Sequence, residues 1–215
     1  MLRDATPTLE SGQGTNDAWC TCDELITLLN DPRIGGVAFD PCGHPSNIFA
    51  RRTVIWLPPE PDDAACGKVG AKGGAAAVER LLEAHRLDFA ARLAVLGDSN
   101  VVTLHGSGLD FDWTDESGGG LTYFNWPFSD SAAWLEKAAS ESGEMLGLGP
   151  ARMNAAYNEE FMYPTITGLF VPRRRITFKG AKTQPPFHCV LPYWGNRLET
   201  FIEVLNPFAT CLVPR

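Results

Sequence analysis

The sequence predicts an α/β domain built in layers, with a mostly parallel central sheet. Short apolar runs rich in β-favouring residues alternate with stretches of helical periodicity, the pattern of strand–helix–strand units. The 215 residues are 44% hydrophobic and 20% charged, which fits a single globular domain with a sizeable core. Turn-forming residues directly follow several of the apolar runs, and open α/β sheets bind their ligands at that end of their strands.

Composition narrows the functional classes. A net charge of −8 argues against a generally basic nucleic-acid-binding surface but leaves room for a local basic groove. Without a secretory signal, the six cysteines are expected to be reduced thiols. No apolar run approaches the roughly 20 residues of a membrane-spanning helix. We therefore expect a cytoplasmic protein with no membrane partner.

The chain begins with a polar segment and a short helix. Residues 1–17 are rich in Gly, Thr and Asp and are expected to form a flexible lead-in to a domain over 18–215. A short amphipathic helix follows, capped by Thr21 or Asp23. The sequence Asn30-Asp31-Pro32 is expected to end it.

The first two predicted strands lead into turns that suit a nucleoside. An apolar strand from Val37 to Phe39 runs into residues 40–47, where glycine and small residues would let the backbone approach a cofactor. The second strand runs from Thr53 to Leu57. An acid past a second strand often holds a ribose hydroxyl; the candidates in this proline-rich loop are Glu60, Asp62 and Asp63.

The next segment contains the clearest helical pattern of the chain. Residues 74–96 carry apolar side chains on one face and charges on the other, within a helical insertion at about 59–98. A third strand from Val101 to Leu104 leads to a glycine-rich, acidic and aromatic stretch over 105–113, and residues 115–120 read as a linker. There is no G-x-G-x-x-G or Walker sequence, which argues against a standard dinucleotide or NTP site.

The most informative stretch is residues 121–128. A buried strand ends abruptly in Asn125-Trp126-Pro127-Phe128, which places an amide, a rigid proline turn and an aromatic ring at the strand's carboxyl end. Such a group suits the binding of a planar base that carries an amine.

The remaining chain continues the alternation of helices and strands. Ser129 or Asp130 is expected to cap a helix. Further elements are expected in this order: a strand at 145–148, a helical segment at 154–162, strands at 166–171 and 189–194, and a closing helix at 196–205.

Taken together, the segments over residues 19–194 resemble the phage-type DNA N6-adenine methyltransferases (Dam-like). Residues 19–25 are similar to that family's aromatic-x-Thr-Pro-x-Glu-Leu segment, with Cys22 in place of proline. Residues 40–47 resemble its Asp-x-Cys/Ala-Ala-x-x-x-Asn segment, and Asn125–Phe128 resembles its Asn-Pro-Pro-Tyr. Further matching segments are Gly108-Leu109 with Asp112-Trp113 (Ser107 replaces an aspartate), the Trp134–Ala138 stretch, Pro150-Ala151-Arg152, the Arg175–Phe178 strand and Pro186-Phe187.

The resemblance implies a Rossmann-like S-adenosylmethionine-dependent methyltransferase fold and methyl transfer to the N6 amine of adenine in double-stranded DNA. The implied setting is a phage marking its own DNA against restriction, in the host cytoplasm. The residues implied to hold the target are Asn125, Trp126, Pro127 and Phe128. Those implied to line the cofactor pocket are Thr21, Asp40, Cys42, Asn47 and Leu109.

A basic stretch is the candidate for DNA contact. Its residues could track phosphates, although a solvated charged turn would look the same. The candidate nucleic-acid-binding residues are Arg152, Arg173, Arg174, Arg175 and Lys179.

Three alternatives remain open from the sequence. The fold could act on cytosine N4, RNA or a free nucleotide. The altered residues Trp126 and Ser107 are compatible with a relative that binds nucleotide or nucleic acid without catalysis. Cys20, Cys22, Cys42 and His44 offer four zinc ligands, but Cys-x-Cys is tighter than the usual spacing, and we expect no metal.

Overall fold

The computed structural model describes residues 19–44, 47–55, 102–179, 181 and 184–214. These residues form one eight-stranded mixed sheet flanked by helices. The strands are β1 (Val37–Gly43), β2 (Arg52–Ile55), β3 (Val102–His105), β4 (Leu121–Asn125), β5 (Glu144–Pro150), β6 (Gly168–Pro172), β7 (Cys189–Trp194) and β8 (Ala209–Leu212). Their order across the sheet is β3-β2-β1-β4-β5-β7-β6-β8.

The sheet has a parallel part and an antiparallel part. Strands β1 to β5 are all parallel to one another, whereas β7 is antiparallel to both β5 and β6, and β8 is antiparallel to β6. The strand order reverses direction between β1 and β4, which makes the space outside their carboxyl ends a topological switch point. That space is where an open α/β sheet binds ligands.

Four α-helices lie among the described residues: α1 (Asp23–Leu29), α2 (Trp113–Ser117), α3 (Ser131–Ser140) and α4 (Leu198–Leu205). Two 3-10 turns, Gly108–Asp110 and Phe128–Asp130, follow β3 and β4, and a π-helix spans Asn158–Met162. Helix α3 buries its apolar stripe of Trp134, Leu135 and Ala138, as expected of an amphipathic helix that packs on a sheet.

The core is formed mainly by the central strands. All seven residues of β5 and all six residues of β7 are buried, which is the pattern of strands covered on both faces. Large aromatic side chains fill much of this interior, among them Phe39, Trp113, Tyr123, Phe124 and Tyr193. The α/β class with a mainly parallel centre is thus confirmed, while the three strands β6 to β8 make the sheet less parallel than the sequence predicts.

Several local predictions need correction. The N-cap of α1 is Cys22, and no side-chain hydrogen bond caps the helix, so Thr21 and Asp23 do not have that role. Strand β1 continues to Gly43 rather than turning after Phe39. The predicted linker at 115–120 is partly helical because Asp112 caps α2 by accepting a hydrogen bond from the Asp115 N–H.

The carboxyl-terminal region also differs from expectation. The predicted strand at 175–178 is absent from the described part of the chain; only an isolated bridge joins Lys179 to Cys20. The edge strand β8 was not predicted, since four residues carry too little periodicity. The lead-in at 1–17, the 59–98 insertion with its helix at 74–96, and the three acids proposed for a ribose lie outside the described residues.

In the described ranges, no helix combines the length and apolarity needed to cross a bilayer.

Candidate functional site

A small pocket lies at the switch point between β1 and β4. It brings together the following residues, which come from distant parts of the chain: Trp19, Cys20, Thr21, Asp40, Cys42, His44, Asn47, Phe49 and Asn125. Its volume is about 20 Å³, room for a single water. Five residues named from the sequence (Thr21, Asp40, Cys42, Asn47 and Asn125) therefore surround one point, although they are up to 104 positions apart.

Asp40 is a buried carboxyl group on this pocket. One of its oxygens accepts a hydrogen bond from the Cys42 backbone N–H at 2.9 Å. Burial raises the pKa of Asp40 to about 7, and the hydrogen bond offsets only part of this effect. Burial and the neighbouring Asp40 raise the pKa of the Cys42 thiol well above its usual value. The Asp40 carboxyl can therefore change its charge near neutral pH.

Hydrogen bonds hold the segment that precedes α1 against the end of β4. The Thr21 hydroxyl and the Tyr123 hydroxyl are 3.0 Å apart and share a hydrogen bond. The Asn47 side-chain amide donates to the Thr21 carbonyl at 3.2 Å. Tyr123 is two residues before Asn125 on the same strand and so points to the same face of the sheet. These bonds position both Thr21 and Asn47 on the same pocket as Asn125.

Asn125 ends β4 with one amide atom bonded and the other without a partner. Its Nδ2 donates a hydrogen bond to the Trp19 carbonyl. Its Oδ1 is buried with no hydrogen-bond partner among the described residues. Because a carbonyl oxygen can only accept, the Trp19 carbonyl fixes which end of the amide faces it. An acceptor atom is thereby left available on a pocket-lining residue.

The Trp126 side chain lies in the core and not in the pocket. It is buried, its indole N–H donates to the Ser131 hydroxyl at 3.0 Å, and its ring lies over β5. A Cβ atom at Gly149 would overlap the indole, and one at Gly147 would crowd it. The two glycines thus make room for the large residue at position 126. Pro127 begins the 3-10 turn that follows, and its carbonyl accepts from the Asp130 N–H at 3.1 Å.

Phe128 belongs to a cluster of four aromatic rings, Trp19, Phe128, Phe178 and Phe187. Its ring centre lies 5.3 Å from that of Phe187 and 6.2 Å from that of Phe178, both at steep angles. Trp19 contacts the same two rings at 6.4 and 5.0 Å. Phe128 is only 6% exposed. The ring expected to stack on a base is therefore covered by other aromatic side chains in this structure.

The loop after β3 packs beside the pocket without lining it. At Gly108 a Cβ would overlap the Pro41 backbone, so this loop lies directly against β1. The Ser107 hydroxyl accepts from the Leu109 N–H at 3.3 Å and caps the 3-10 turn. Leu109 is partly buried against the core and is not among the pocket residues. The predicted contact between Leu109 and the cofactor thus stays a prediction.

The candidate DNA-binding residues are exposed, but three of them have protein partners. Arg173 donates to the Asn206 carbonyl at 3.1 Å, Arg174 lies 3.9 Å from Glu24, and Lys179 pairs with Asp23 at 2.9 Å. Arg174 and Arg175 line a second cavity of about 350 Å³ beside Glu24 and Phe208. Arg152 is exposed after β5.

Sequence reasoning missed five aromatic contributors to the site, among them Trp19, which lines the pocket. Phe49 lines the pocket and its ring centre lies 5.5 Å from that of Tyr123, and Phe178 and Phe187 cover Phe128. The alternation of β4 could have identified Tyr123, which shares a face with Asn125. The described residues contain no group of three or more His, Cys, Asp or Glu side chains arranged to hold a metal ion.

Comparison with known proteins returned no match among family models, curated proteins or solved structures.

Proposed function

We propose that this chain is an S-adenosylmethionine-dependent methyltransferase acting on the exocyclic N6 amine of adenine in DNA. The observation that carries the proposal is the buried, unpartnered Oδ1 of Asn125 at the carboxyl end of β4. An unpaired buried acceptor is unfavourable by about 1–3 kcal/mol, so its persistence in a pocket favours a ligand that donates a hydrogen bond.

The position of this atom supports the proposal. Asp40 on β1 and Asn125 on β4 lie on either side of the switch point and line the same pocket. The sheet order is compatible with the Rossmann-like fold that the resemblance implies. A methyl donor on the Asp40 side and an amine on the Asn125 side would meet there, which is the geometry that methyl transfer requires.

The chemistry requires acceptors around the amine. The exocyclic nitrogen of adenine is a poor nucleophile because its lone pair is delocalised into the ring. Hydrogen bonds from the amine to Asn125 Oδ1 and to the Trp126 carbonyl would draw the nitrogen toward tetrahedral geometry. Asp40, Thr21, Cys42 and Asn47 would hold the cofactor, which supplies an electrophilic methyl group when bound.

Binding requires the pocket to open. A volume of about 20 Å³ is far below the roughly 300–1,000 Å³ of ordinary small-molecule sites. The side chains around it must separate to admit a cofactor and a base. In duplex DNA the target base must also leave the stack. Arg175 and its neighbours would contribute phosphate contacts.

Transfer of a tritiated methyl group from S-adenosylmethionine to unmodified DNA tests the proposal. We expect Asn125→Ala to lower the initial rate about 100-fold or more, as does the loss of one preorganised polar group in other enzymes. The matched control is Asn196→Ala, an exposed asparagine after β7, which should leave the rate unchanged. An Asn125→Ala variant that transfers methyl groups at the wild-type rate contradicts the proposal.

A second candidate function is binding without catalysis. The small pocket and the covered ring of Phe128 favour it. Labelled S-adenosylhomocysteine bound at equilibrium, with no methyl transfer to DNA, RNA or free nucleotides, would support this second candidate. Cytosine N4 methylation is distinguished in the same assay by digesting the product to nucleosides.

A further inference from the structure

We propose that the indole N–H of Trp19 acts with Asn125 Oδ1 to read an amino–aza edge, in which an amine lies next to a ring nitrogen. The inference rests on the proposed function, because both place a substrate amine at Asn125. It goes further by assigning a specificity role to Trp19, a residue with no proposed role in the methyl transfer.

The first observation is a pair of buried polar atoms with opposite hydrogen-bonding character. Four buried side-chain atoms among the described residues have no partner: Trp19 Nε1, Thr53 Oγ1, Asn125 Oδ1 and Tyr157 Oη. Of these, Trp19 and Asn125 line the same pocket. The indole N–H can only donate and the amide oxygen can only accept. One ligand edge with an acceptor next to a donor would satisfy both atoms.

The second observation is that the two residues are joined. Asn125 Nδ2 donates to the Trp19 carbonyl, so the Trp19 backbone fixes the direction of the Asn125 amide. The Trp19 ring is held by Phe178 at 5.0 Å and by Phe187 at 6.4 Å. The adjacent Cys20 carbonyl accepts from the Lys179 N–H at 2.9 Å. Donor and acceptor are therefore positioned by separate packing and backbone contacts before any ligand binds.

Adenine and cytosine present this edge at their exocyclic amine, while guanine and thymine carry a keto oxygen at the corresponding ring position. In adenine the amine would donate to Asn125 Oδ1, and a neighbouring ring nitrogen, N1 or N7, would accept from Trp19. In guanine and thymine a keto oxygen would face Asn125 Oδ1, and on the Watson–Crick edge the imino N–H would also face the indole N–H. On the N7 side of guanine, only the keto oxygen would be mismatched. Two donors or two acceptors placed opposite each other leave buried groups unpaired, and such sites discriminate strongly.

Binding of small base analogues to the full chain tests the inference without relying on catalysis. The probes are 9-methyladenine, its 1-deaza and 7-deaza analogues, and 9-methylguanine, with affinities measured by ligand-observed NMR titration. We expect one of the two deaza analogues to bind about tenfold more weakly than 9-methyladenine, the ratio for one buried hydrogen bond. That analogue identifies the ring nitrogen that is contacted. We expect 9-methylguanine to bind more weakly still.

The variant Trp19→Phe keeps an aromatic ring and removes the N–H. In this variant, 9-methyladenine and the weaker deaza analogue should bind with about equal affinity. The affinity for the analogue itself should be the same as in the wild-type chain. The control is Trp194→Phe. Trp194 lies at the end of β7, outside the pocket, and its indole N–H donates to the Thr165 hydroxyl at 2.9 Å. The control variant should leave all the ratios unchanged.

The outcomes separate this inference from the proposed function. If the wild-type chain binds all four bases within twofold or binds none, or if Trp19→Phe weakens all of them equally, the inference is overturned even where methyl transfer is intact. If discrimination depends on Trp19 but no methyl group is transferred to any nucleic acid, the inference stands and the methyltransferase proposal fails. The wild-type ratios do not depend on the stability of the variant.

Discussion

Strands β4 and β5 carry a polar cluster at each end, and the two clusters are built in opposite ways. At the amino ends, Glu144 pairs in register with Leu121, and its carboxylate accepts from the Tyr193 hydroxyl and from Arg197 Nε at 2.9 Å. The Arg197 N–H donates to the Tyr193 hydroxyl at 3.0 Å. Each of these polar groups has a partner within this amino-end cluster of Glu144, Tyr193 and Arg197.

At the carboxyl ends, Asn125 lies four residues beyond Leu121 on β4. Polar atoms of Asn125 and of its neighbours in the pocket lack hydrogen-bond partners among the described residues. Asn125 Oδ1 and Trp19 Nε1 have no partner in the described part of the chain, and Asp40 is buried with one backbone hydrogen bond. The two ends of the sheet thus separate groups that stabilise the fold from groups that are open to a ligand. A satisfied buried network stabilises the fold, whereas unsatisfied atoms in a pocket indicate a place for a ligand.

The largest expected difference between the two ends is in stability. Glu144→Ala should lower the free energy of unfolding by about 3 kcal/mol, since it leaves Tyr193 and part of Arg197 without their buried partner. Asn125→Ala removes one hydrogen bond, the one to the Trp19 carbonyl, and should lower the free energy of unfolding by about 1 kcal/mol. Urea unfolding of both variants at pH 7 measures the difference. Equal losses from the two variants would remove the distinction between the clusters.

The next largest effect is a pH dependence of stability that arises at the carboxyl end. Burial raises the folded-state pKa of Asp40 to about 7, above its ordinary value of 3.8. The folded protein therefore binds this proton more tightly than the unfolded chain, and stability from this group falls as the pH rises through about 7.

Asp40→Asn should remove that dependence. Between pH 5 and pH 8, wild-type stability should fall by about 2.5 kcal/mol relative to the variant, based on roughly 1.4 kcal/mol per pKa unit. Urea unfolding at the two pH values is the measurement. Parallel pH profiles for wild type and variant would show that the buried carboxyl group is not the cause.

The smallest effect tests whether DNA approaches the carboxyl end. Arg175→Ala should reduce the slope of log affinity against log salt concentration by about 0.9, the value for one phosphate contact. The control is Arg33→Ala, which removes an exposed arginine paired with Asp31 near the amino-end cluster. Fluorescence anisotropy with a short duplex measures both slopes. If both variants change the slope equally, DNA has no preference for the Arg175 side.

The sequence was sufficient to predict seven of the eight strands and several residues of the pocket, but not the edge strand β8. Strand β7 has the predicted bounds, and β4 ends at Asn125 as expected. Apolar runs with turn residues after them determine such local features. Because carboxyl ends of parallel strands meet at one edge, the joint placement of Asp40 and Asn125 followed from topology.

What the sequence did not predict depends on distant contacts. Phe128 is covered by Phe178 and Phe187, about fifty and sixty positions away, and no local pattern indicates that packing. The prediction that Thr21 caps α1 was wrong, because the Thr21 hydroxyl forms a hydrogen bond with the Tyr123 hydroxyl instead of with the helix backbone. The unpaired state of Asn125 Oδ1 likewise depends on where the Trp19 carbonyl lies.

The indole of Trp126 and the two glycines of β5 have a consequence for how this chain could change over time. The Trp126 indole occupies the space that side chains at positions 147 and 149 would otherwise fill. Substituting any of the three alone leaves either a void or an overlap. We therefore expect these three positions to change together, and a chain with proline at 126 would need larger neighbours on the adjoining strand.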